Sequence, residues 1–206
     1  MGKYDNLLPN EPILMPYQAE ALNGDTYACN EFLALRDKFK IKTVVELGSC
    51  VFGSTKWFAD NFEKVITVEI NETFRQIGLQ RAGERSNIIS HLGDSIQKLP
   101  EMLVACDDNT IIFIDSHWQT LPLLEELQII KRSGLKPCIV VHDCYVPNQP
   151  ELGYDEYAGV TISLETMKPY LDDIYGDYEY HYNTTETATD VKRGIIYIYP
   201  VLKNKM

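Results

Sequence analysis

No stretch of this chain is apolar for long enough to cross a bilayer, which takes about 20 consecutive apolar residues. The first ten residues, M-G-K-Y-D-N-L-L-P-N, contain no apolar signal core, and Asn6 stands where a myristoylation motif wants Ser or Thr. Membrane association is therefore not expected. Bases are also in deficit: 19 against 30 acids leave a net charge of −11. Binding a nucleic-acid backbone needs clustered Lys and Arg, so nucleic acid is not an expected partner. Cysteine is sparse and odd in number: Cys29, Cys50, Cys106, Cys138 and Cys144, with no C-x-x-C pair. That excludes a disulfide framework and disfavours a cysteine zinc site, and free thiols point to a reducing cytoplasm. Internal repeats and low-complexity segments are absent. What remains is 206 residues of ordinary globular composition, enough for one sizeable core.

Apolar periodicity divides the chain into alternating elements. Residues 1–26, rich in Pro, Asn and Gly, read as an N-terminal arm or lid, and 27–206 as a single domain. The arm is a candidate for exchange between protomers of a homo-oligomer. Helical spacing is expected over Thr26–Lys38, Asn71–Arg85, Ser95–Val104, Leu121–Ser133 and Thr161–Tyr170, with Asn71 as a cap and Gly134 as a C-terminal stop. Strands are expected at Thr43–Leu47, Val65–Ile70, Asn87–Leu92, Thr110–Ile114 and Cys138–Val141. A last pair, Tyr178–Tyr182 and Gly194–Tyr199, closes the chain, and its tyrosines are expected to pack on the sheet. This alternation predicts an α/β, doubly wound, Rossmann-like fold: a mostly parallel seven-stranded sheet with an antiparallel C-terminal pair.

The most telling stretch is Thr43–Thr55, T-V-V-E-L-G-S-C-V-F-G-S-T. It reads as a strand ending on an acid, a turn through Gly48 and Gly53, and a helix start served by Ser54 or Thr55. The next strand carries Glu69, 23 residues after Glu46, close to the spacing of about 20 between a first-turn motif and a ribose-binding acid. The turn G-S-C-V-F-G is not G-x-G-x-x-G, and a carboxylate at Glu46 would repel a pyrophosphate. It suits a cationic or zwitterionic ligand such as S-adenosylmethionine (SAM), which disfavours a nicotinamide-dependent oxidoreductase.

E-L-G-S-x-x-x-G-S-T resembles motif I of the class I SAM-dependent methyltransferases, particularly the small-molecule O-methyltransferases, and the likeness runs from about Glu31 to Pro200. The pattern departs at Cys50 and Phe52, where that family more often has glycine or another small residue, and Phe52 would narrow the pocket. The resemblance implies a cofactor-binding set of Glu46, Gly48, Ser49, Gly53, Ser54, Glu69, Ile70, Asp94, Ser95 and Asp115. Asp94, in H-L-G-D-S, matches the position that holds the adenine amino group; as a helix N-cap it has an equally good structural reason to be there.

Asp115-Ser116-His117-Trp118 and His142-Asp143 each follow a buried apolar strand. Methyl transfer to a hydroxyl needs a positioned oxygen and removal of its proton, work suited to a histidine titrating near neutrality. The resemblance implies two patterns. Cation-dependent O-methyltransferases carry metal-binding acids at the positions of Asp115 and Asp143, which makes Mg2+ a candidate cofactor, although their Asp-Asn pair is His142-Asp143-Cys144 here. Sugar-type enzymes pair an aspartate with a nearby histidine base, a pattern closer to D-S-H. His117 is accordingly the preferred base and His142 the alternative base or a metal ligand. The loop P-N-Q-P-E-L-G-Y-D-E-Y-A-G is expected to cover the site, with Tyr154, Asp155 and Tyr157 towards substrate or packed on the sheet edge. The expected activity is O-methylation of a small polar acceptor such as a sugar or glycan precursor. A metal-dependent hydrolase and a non-catalytic SAM-fold binding protein are the rivals.

Overall fold

Runs of β-branched residues flanked by turn residues form extended segments, and five of them lie parallel in the computed structural model, which describes residues 16–189 and 191–202. These are β1 (Thr43–Leu47), β2 (Lys64–Glu69), β3 (Ile88–Leu92), β4 (Thr110–Ile114) and β5 (Cys138–Val141). A short hairpin, β6 (Glu156–Tyr157) and β7 (Val160–Thr161), stands apart, and β8 (Tyr178–Tyr182) and β9 (Ile196–Pro200) close the main sheet antiparallel. The seven-stranded order is β3-β2-β1-β4-β5-β9-β8. The strand order reverses between β1 and β4, and ligands of open α/β sheets bind outside the carboxyl ends of the strands at that point.

Helices α1 (Thr26–Phe39), α2 (Gly53–Asn61), α3 (Glu72–Ala82), α4 (Ser95–Leu103), α5 (Leu123–Ser133) and α6 (Leu164–Tyr175) connect the strands. Because side chains alternate along a strand, β1 sends Val45 and Leu47 to one face and Val44 to the other. The first face is covered by α4, α5 and α6 through Leu99, Leu127 and Leu171. The second packs Phe32 of α1, Phe58 of α2 and Phe113 of β4 with ring centroids 4.9–5.9 Å apart. Each fully buried ring contributes roughly 1.5–3 kcal/mol, which anchors α1 and α2 against the sheet.

Short polar side chains start the helices as anticipated. Asn71 accepts from the backbone N–H groups of Thr73 and Phe74, and Asp94 from that of Ile96. Gly134, at φ 75°, ends α5. The last helix differs from its expected span of Thr161–Tyr170. Thr161 pairs with Glu156 in the hairpin, Ser163 caps the helix, and Pro169 sits inside it, so α6 runs on to Tyr175. Of the arm expected over 1–26, residues 1–15 lie outside those described. Two 3-10 turns, Pro16–Ala19 and Ala21–Gly24, dock on the body: Leu22 is buried in the core and Arg81 donates to the Ala19 carbonyl at 2.6 Å. No described helix is long and apolar enough to cross a membrane.

Candidate functional site

The crevice at the switch point begins with Gly48, which follows β1 at φ 86°. A Cβ there would lie 2.4 Å from the Asp115 carbonyl oxygen, so only glycine lets the turns after β1 and β4 cross at this distance. Ser49 is buried beside it, and its Oγ has no partner among the described residues. Glu69, at the end of β2, accepts from the Cys50 N–H at 2.7 Å and the Asn71 N–H at 2.8 Å. The Ser49 and Ile70 N–H groups also bond to it, so four backbone donors hold the carboxylate in place. Burial raises the Glu69 pKa against these bonds. Ile70 is exposed on the rim.

The start of α2 is assembled differently from the sequence expectation. Phe52, at φ 64°, occupies the cap position, and its ring lies against Gly78 of α3, where a Cβ would sit 2.3 Å from Cδ1. The ring is thus taken up in packing between α2 and α3 and does not narrow the crevice. Ser54 does not cap its own helix either; its Oγ accepts from the Leu22 N–H at 2.9 Å. Gly53 admits the arm, since a Cβ would fall 2.5 Å from the Glu20 carbonyl oxygen. Glu46 is sealed beneath α2 rather than opening on the crevice. Its Oε2 accepts from the Thr55 hydroxyl at 2.5 Å and the Thr67 hydroxyl at 2.7 Å, while Oε1 has no partner among the described residues. Burial pushes the Glu46 carboxyl up to about 8, the two threonine bonds opposing and the charges of Asp115 and Glu69 adding.

Asp94 is the cap of α4, and Ser95 behind it donates to Glu126 Oε1 at 2.5 Å. Ser116 donates to the same oxygen at 2.6 Å. Glu126 therefore ties the turn after β3 to the turn after β4, and its Oε2 is buried without a partner among the described residues. Burial raises its pKa, the two serine bonds opposing. Sequence reading passed over Glu126. The signal was an acid between Leu123, Leu127 and Ile130 on the apolar stripe of α5.

The turns after β4 and β5 bring Asp115, His117, His142 and Asp143 together. His117 Nε2 lies 3.2 Å from Asp143 Oδ2 and 3.9 Å from Asp115 Oδ1. His142 Nδ1 lies 3.1 Å from Asp143 Oδ1 and 3.5 Å from Asp115 Oδ1, without hydrogen-bond alignment to either. Asp143 itself is held in the left-handed region at φ 56°. Two residues from distant segments complete the cluster. Arg193 donates through Nε to Asp143 Oδ1 and through Nη2 to Asp155 Oδ1. The Tyr157 hydroxyl, on the hairpin, lies 2.9 Å from Asp155 Oδ2 and 3.1 Å from the His117 carbonyl oxygen. His117 is buried beneath this hairpin, whereas Asp115 is partly open. Burial opposes the charged form of His117, but the Asp143 hydrogen bond and the charges of Asp143, Asp115 and Asp155 outweigh it and raise its pKa. The same acids hold His142 well above its ordinary value despite burial. Burial would raise the Asp143 carboxyl; His142, His117 and Arg193 overcome it and hold it well below the carboxylate range.

The residues fit the two expected ligands unequally. For SAM, the glycine crossing, the unpartnered Ser49 Oγ and the Glu69 carboxylate form a polar cradle at the switch point. For Mg2+, one donor atom each from Asp115, His117 and Asp143 comes within 4.8 Å of the others. Mg2+ wants oxygen ligands in a near-octahedral shell, however, and here one donor is an imidazole. Both oxygens of Asp143 already carry N–H groups, from His117 and Arg193. The donor set as arranged does not fit Mg2+.

No protein-family profile matches this chain, and no curated protein does. Solved structures do. The O-methyltransferase TomG from Streptomyces achromogenes, in complex with SAM, superposes with a TM-score of 0.57 at 16% identity, over 94% of this chain and 83% of that one. An O-methyltransferase from Bacillus cereus in complex with SAH gives 0.56 at 14% identity, over 95% and 85%. The fold is that of the class I SAM-dependent methyltransferases. Precorrin 8w decarboxylase of Methanobacterium thermoautotrophicum is similar at the same level, with a TM-score of 0.53 and 20% identity over 86% and 90%. Activity must accordingly be argued from the site rather than the fold.

Proposed function

We propose that this chain is a SAM-dependent methyltransferase acting on a hydroxyl of a small polar acceptor such as a sugar or glycan precursor. The observation that carries the reading is His117, hydrogen-bonded through Nε2 to Asp143 and set at the switch-point crevice that Gly48, Ser49 and Glu69 line. When bound, SAM supplies a methyl group on a sulfonium, already joined to a good leaving group. The chain's own task is to place the acceptor oxygen and receive its proton. With the Nε2 proton given to Asp143, the lone pair of His117 falls on Nδ1, which has no partner among the described residues. This atom is buried and Tyr157 of the hairpin packs edge-on to the ring, so neighbouring groups must yield for an acceptor to reach it. Glu69, at the end of β2, is the acceptor for the ribose hydroxyls, and Asp94 and Ser95 serve the adenine end.

A polar, ring-shaped acceptor is supported by three exposed aromatic side chains next to the cluster in sequence. Trp118 follows His117, Tyr145 lies two residues after Asp143, and Tyr154 precedes Asp155. Such rings offer apolar faces beside polar partners. The net charge of −11 supports a small acceptor over nucleic acid. The same proposal takes residues 1–26 as an arm on a single domain over 27–206, open to exchange in a homo-oligomer. It sets the protein in the cytoplasm, in keeping with five free thiols.

The test is calorimetric titration with SAM against an NAD control, followed by SAH release with a panel of hydroxylated acceptors. Wild type is expected to bind SAM and not NAD. His117→Ala is expected to keep SAM affinity and lose turnover by about 10²–10⁴-fold. Absence of SAM binding, turnover without SAM, or full turnover by the variant would overturn the reading. Turnover without SAM is the outcome the hydrolase alternative requires.

A further inference from the structure

Arg193 belongs to no motif, yet the fold goes to some length to place it. The Gly153 N–H donates to the Lys192 carbonyl at 2.9 Å, the Gly194 N–H to the Gly153 carbonyl at 2.8 Å, and the Cys144 N–H to the Gly194 carbonyl at 2.9 Å. Buried Asn183 donates to the Arg193 carbonyl at 2.7 Å and accepts from the Ile195 N–H at 2.8 Å. Two glycines clear the space. A Cβ at position 153 would lie 2.7 Å from Arg193 Nη1, and one at 194 would lie 2.0 Å from the Cys144 carbonyl oxygen. The result is a guanidinium clamped between Asp143 and Asp155, mostly shielded from solvent, with Asp115 beyond it across His117. Three carboxylates converging on one buried histidine would repel one another without a cation. In this chain the cation is covalently part of the fold.

We propose that Arg193 is the resident cation of this site. It takes the electrostatic place of a divalent ion, holds Asp143 in position for His117, and keeps metal ions out. The proposal deepens the methyltransferase reading by making the reaction metal-independent, but its central claim is read without turnover. It also bears on the poor fit to Mg2+: of the two oxygens of Asp143, one is held by Arg193 and the other by His117.

The experiment is Mn2+ titration of the full chain followed by electron paramagnetic resonance, with circular dichroism to establish folding and SAM calorimetry as a separate control. Wild type is expected to bind Mn2+ weakly and to keep its turnover in EDTA. Arg193→Met, which removes the charge and keeps much of the length, is expected to bind Mn2+ at least about tenfold more tightly and to melt higher when Mn2+ is added. Adding Asp143→Asn to that variant should erase the gain. An Arg193 with only a structural role would lower the melting temperature of Arg193→Met without creating Mn2+ binding, and that result overturns the proposal. Tight Mn2+ binding by wild type, or turnover abolished by EDTA, overturns it as well. Should Arg193→Met not fold, Arg193→Gln replaces it, because it too removes the charge while its amide can still donate to one of the carboxylates; the expected direction and the refuting result are unchanged. Failure of the methyltransferase reading shows elsewhere, as absent SAM binding by wild type.

Discussion

Replacing Glu46 by glutamine is expected to remove a pH dependence of stability that one buried carboxyl creates. Glu46 has an ordinary value of 4.5 when the chain is unfolded, and burial beneath α2 raises it to about 8 in the folded state. Below the lower value both states carry the proton and Glu46 contributes no pH dependence. Between the two values the unfolded chain releases the proton while the folded one keeps it, so stability falls as pH rises, by up to about 1.4 kcal/mol per unit. The loss levels off above about pH 8, having reached roughly 5 kcal/mol. Between about pH 5.5 and about pH 8 the expected loss from this group is about 3 kcal/mol. The glutamine of Glu46→Gln does not titrate. Its amide retains an acceptor for Thr55 and Thr67, and its NH2 group inherits the unpartnered position of Oε1 at a fixed cost of about 1–3 kcal/mol. That cost shifts the variant's stability at every pH alike, so the difference between the two proteins isolates Glu46 from the other acids. Urea denaturation of both, followed by circular dichroism at the two pH values, measures it. The stability of E46Q relative to wild type should rise by about 3 kcal/mol from the lower to the higher pH. Parallel behaviour of the two proteins would show that Glu46 titrates in the fold as it does in water, and the account of α2 resting on a protonated acid would be wrong.

Two further substitutions probe glycines whose absent Cβ matters. Alanine in a helix interior ordinarily stabilises by about 1 kcal/mol over glycine, but at Gly78 the new Cβ would meet the buried Phe52 ring at 2.3 Å. Gly78→Ala is therefore expected to destabilise by about 1–3 kcal/mol, lowering the melting temperature by several degrees, and an unchanged or higher melting temperature would refute this. Gly48→Ala combines a positive φ with a 2.4 Å approach to the Asp115 carbonyl, so the turns after β1 and β4 must separate. SAM affinity should fall by at least about tenfold, and calorimetry giving the wild-type affinity would remove the cofactor from this crossing.

Much of the architecture was legible because its signals are local. The runs T-V-V-E-L and T-I-I-F-I are β-branched and uninterrupted, Asn71 and Asp94 precede their helices at capping distance, and Gly134 supplies the left-handed stop. The start of the last helix was misplaced because Thr161 serves a two-residue strand whose partner, Glu156, lies across a turn. Glu46 and Phe52 were legible as unusual residues in a cofactor turn but not in their destinations. One faces Thr55 and Thr67 beneath α2 and the other packs on Gly78 of α3, contacts that exist only once helices lie on the sheet.

The sequence by itself determined the alternation of strands and helices, the glycine-bearing turn after the first strand, and the acids and histidines at the ends of the strands. These follow from side-chain periodicity, turn conformation and composition, which act over a few residues. Only the tertiary structure decided which of those groups meet. Asp143 and Arg193 are 50 residues apart, Asp155 and Arg193 are 38 apart, and Ser95 and Glu126 are 31 apart. No local pattern marks such pairs, because their attraction is expressed only after β5 and β9 have paired and α5 has packed between the turns. The electrostatic character of the site, with two raised histidines, an aspartate held ionised and an arginine between two carboxylates, is a product of that assembly.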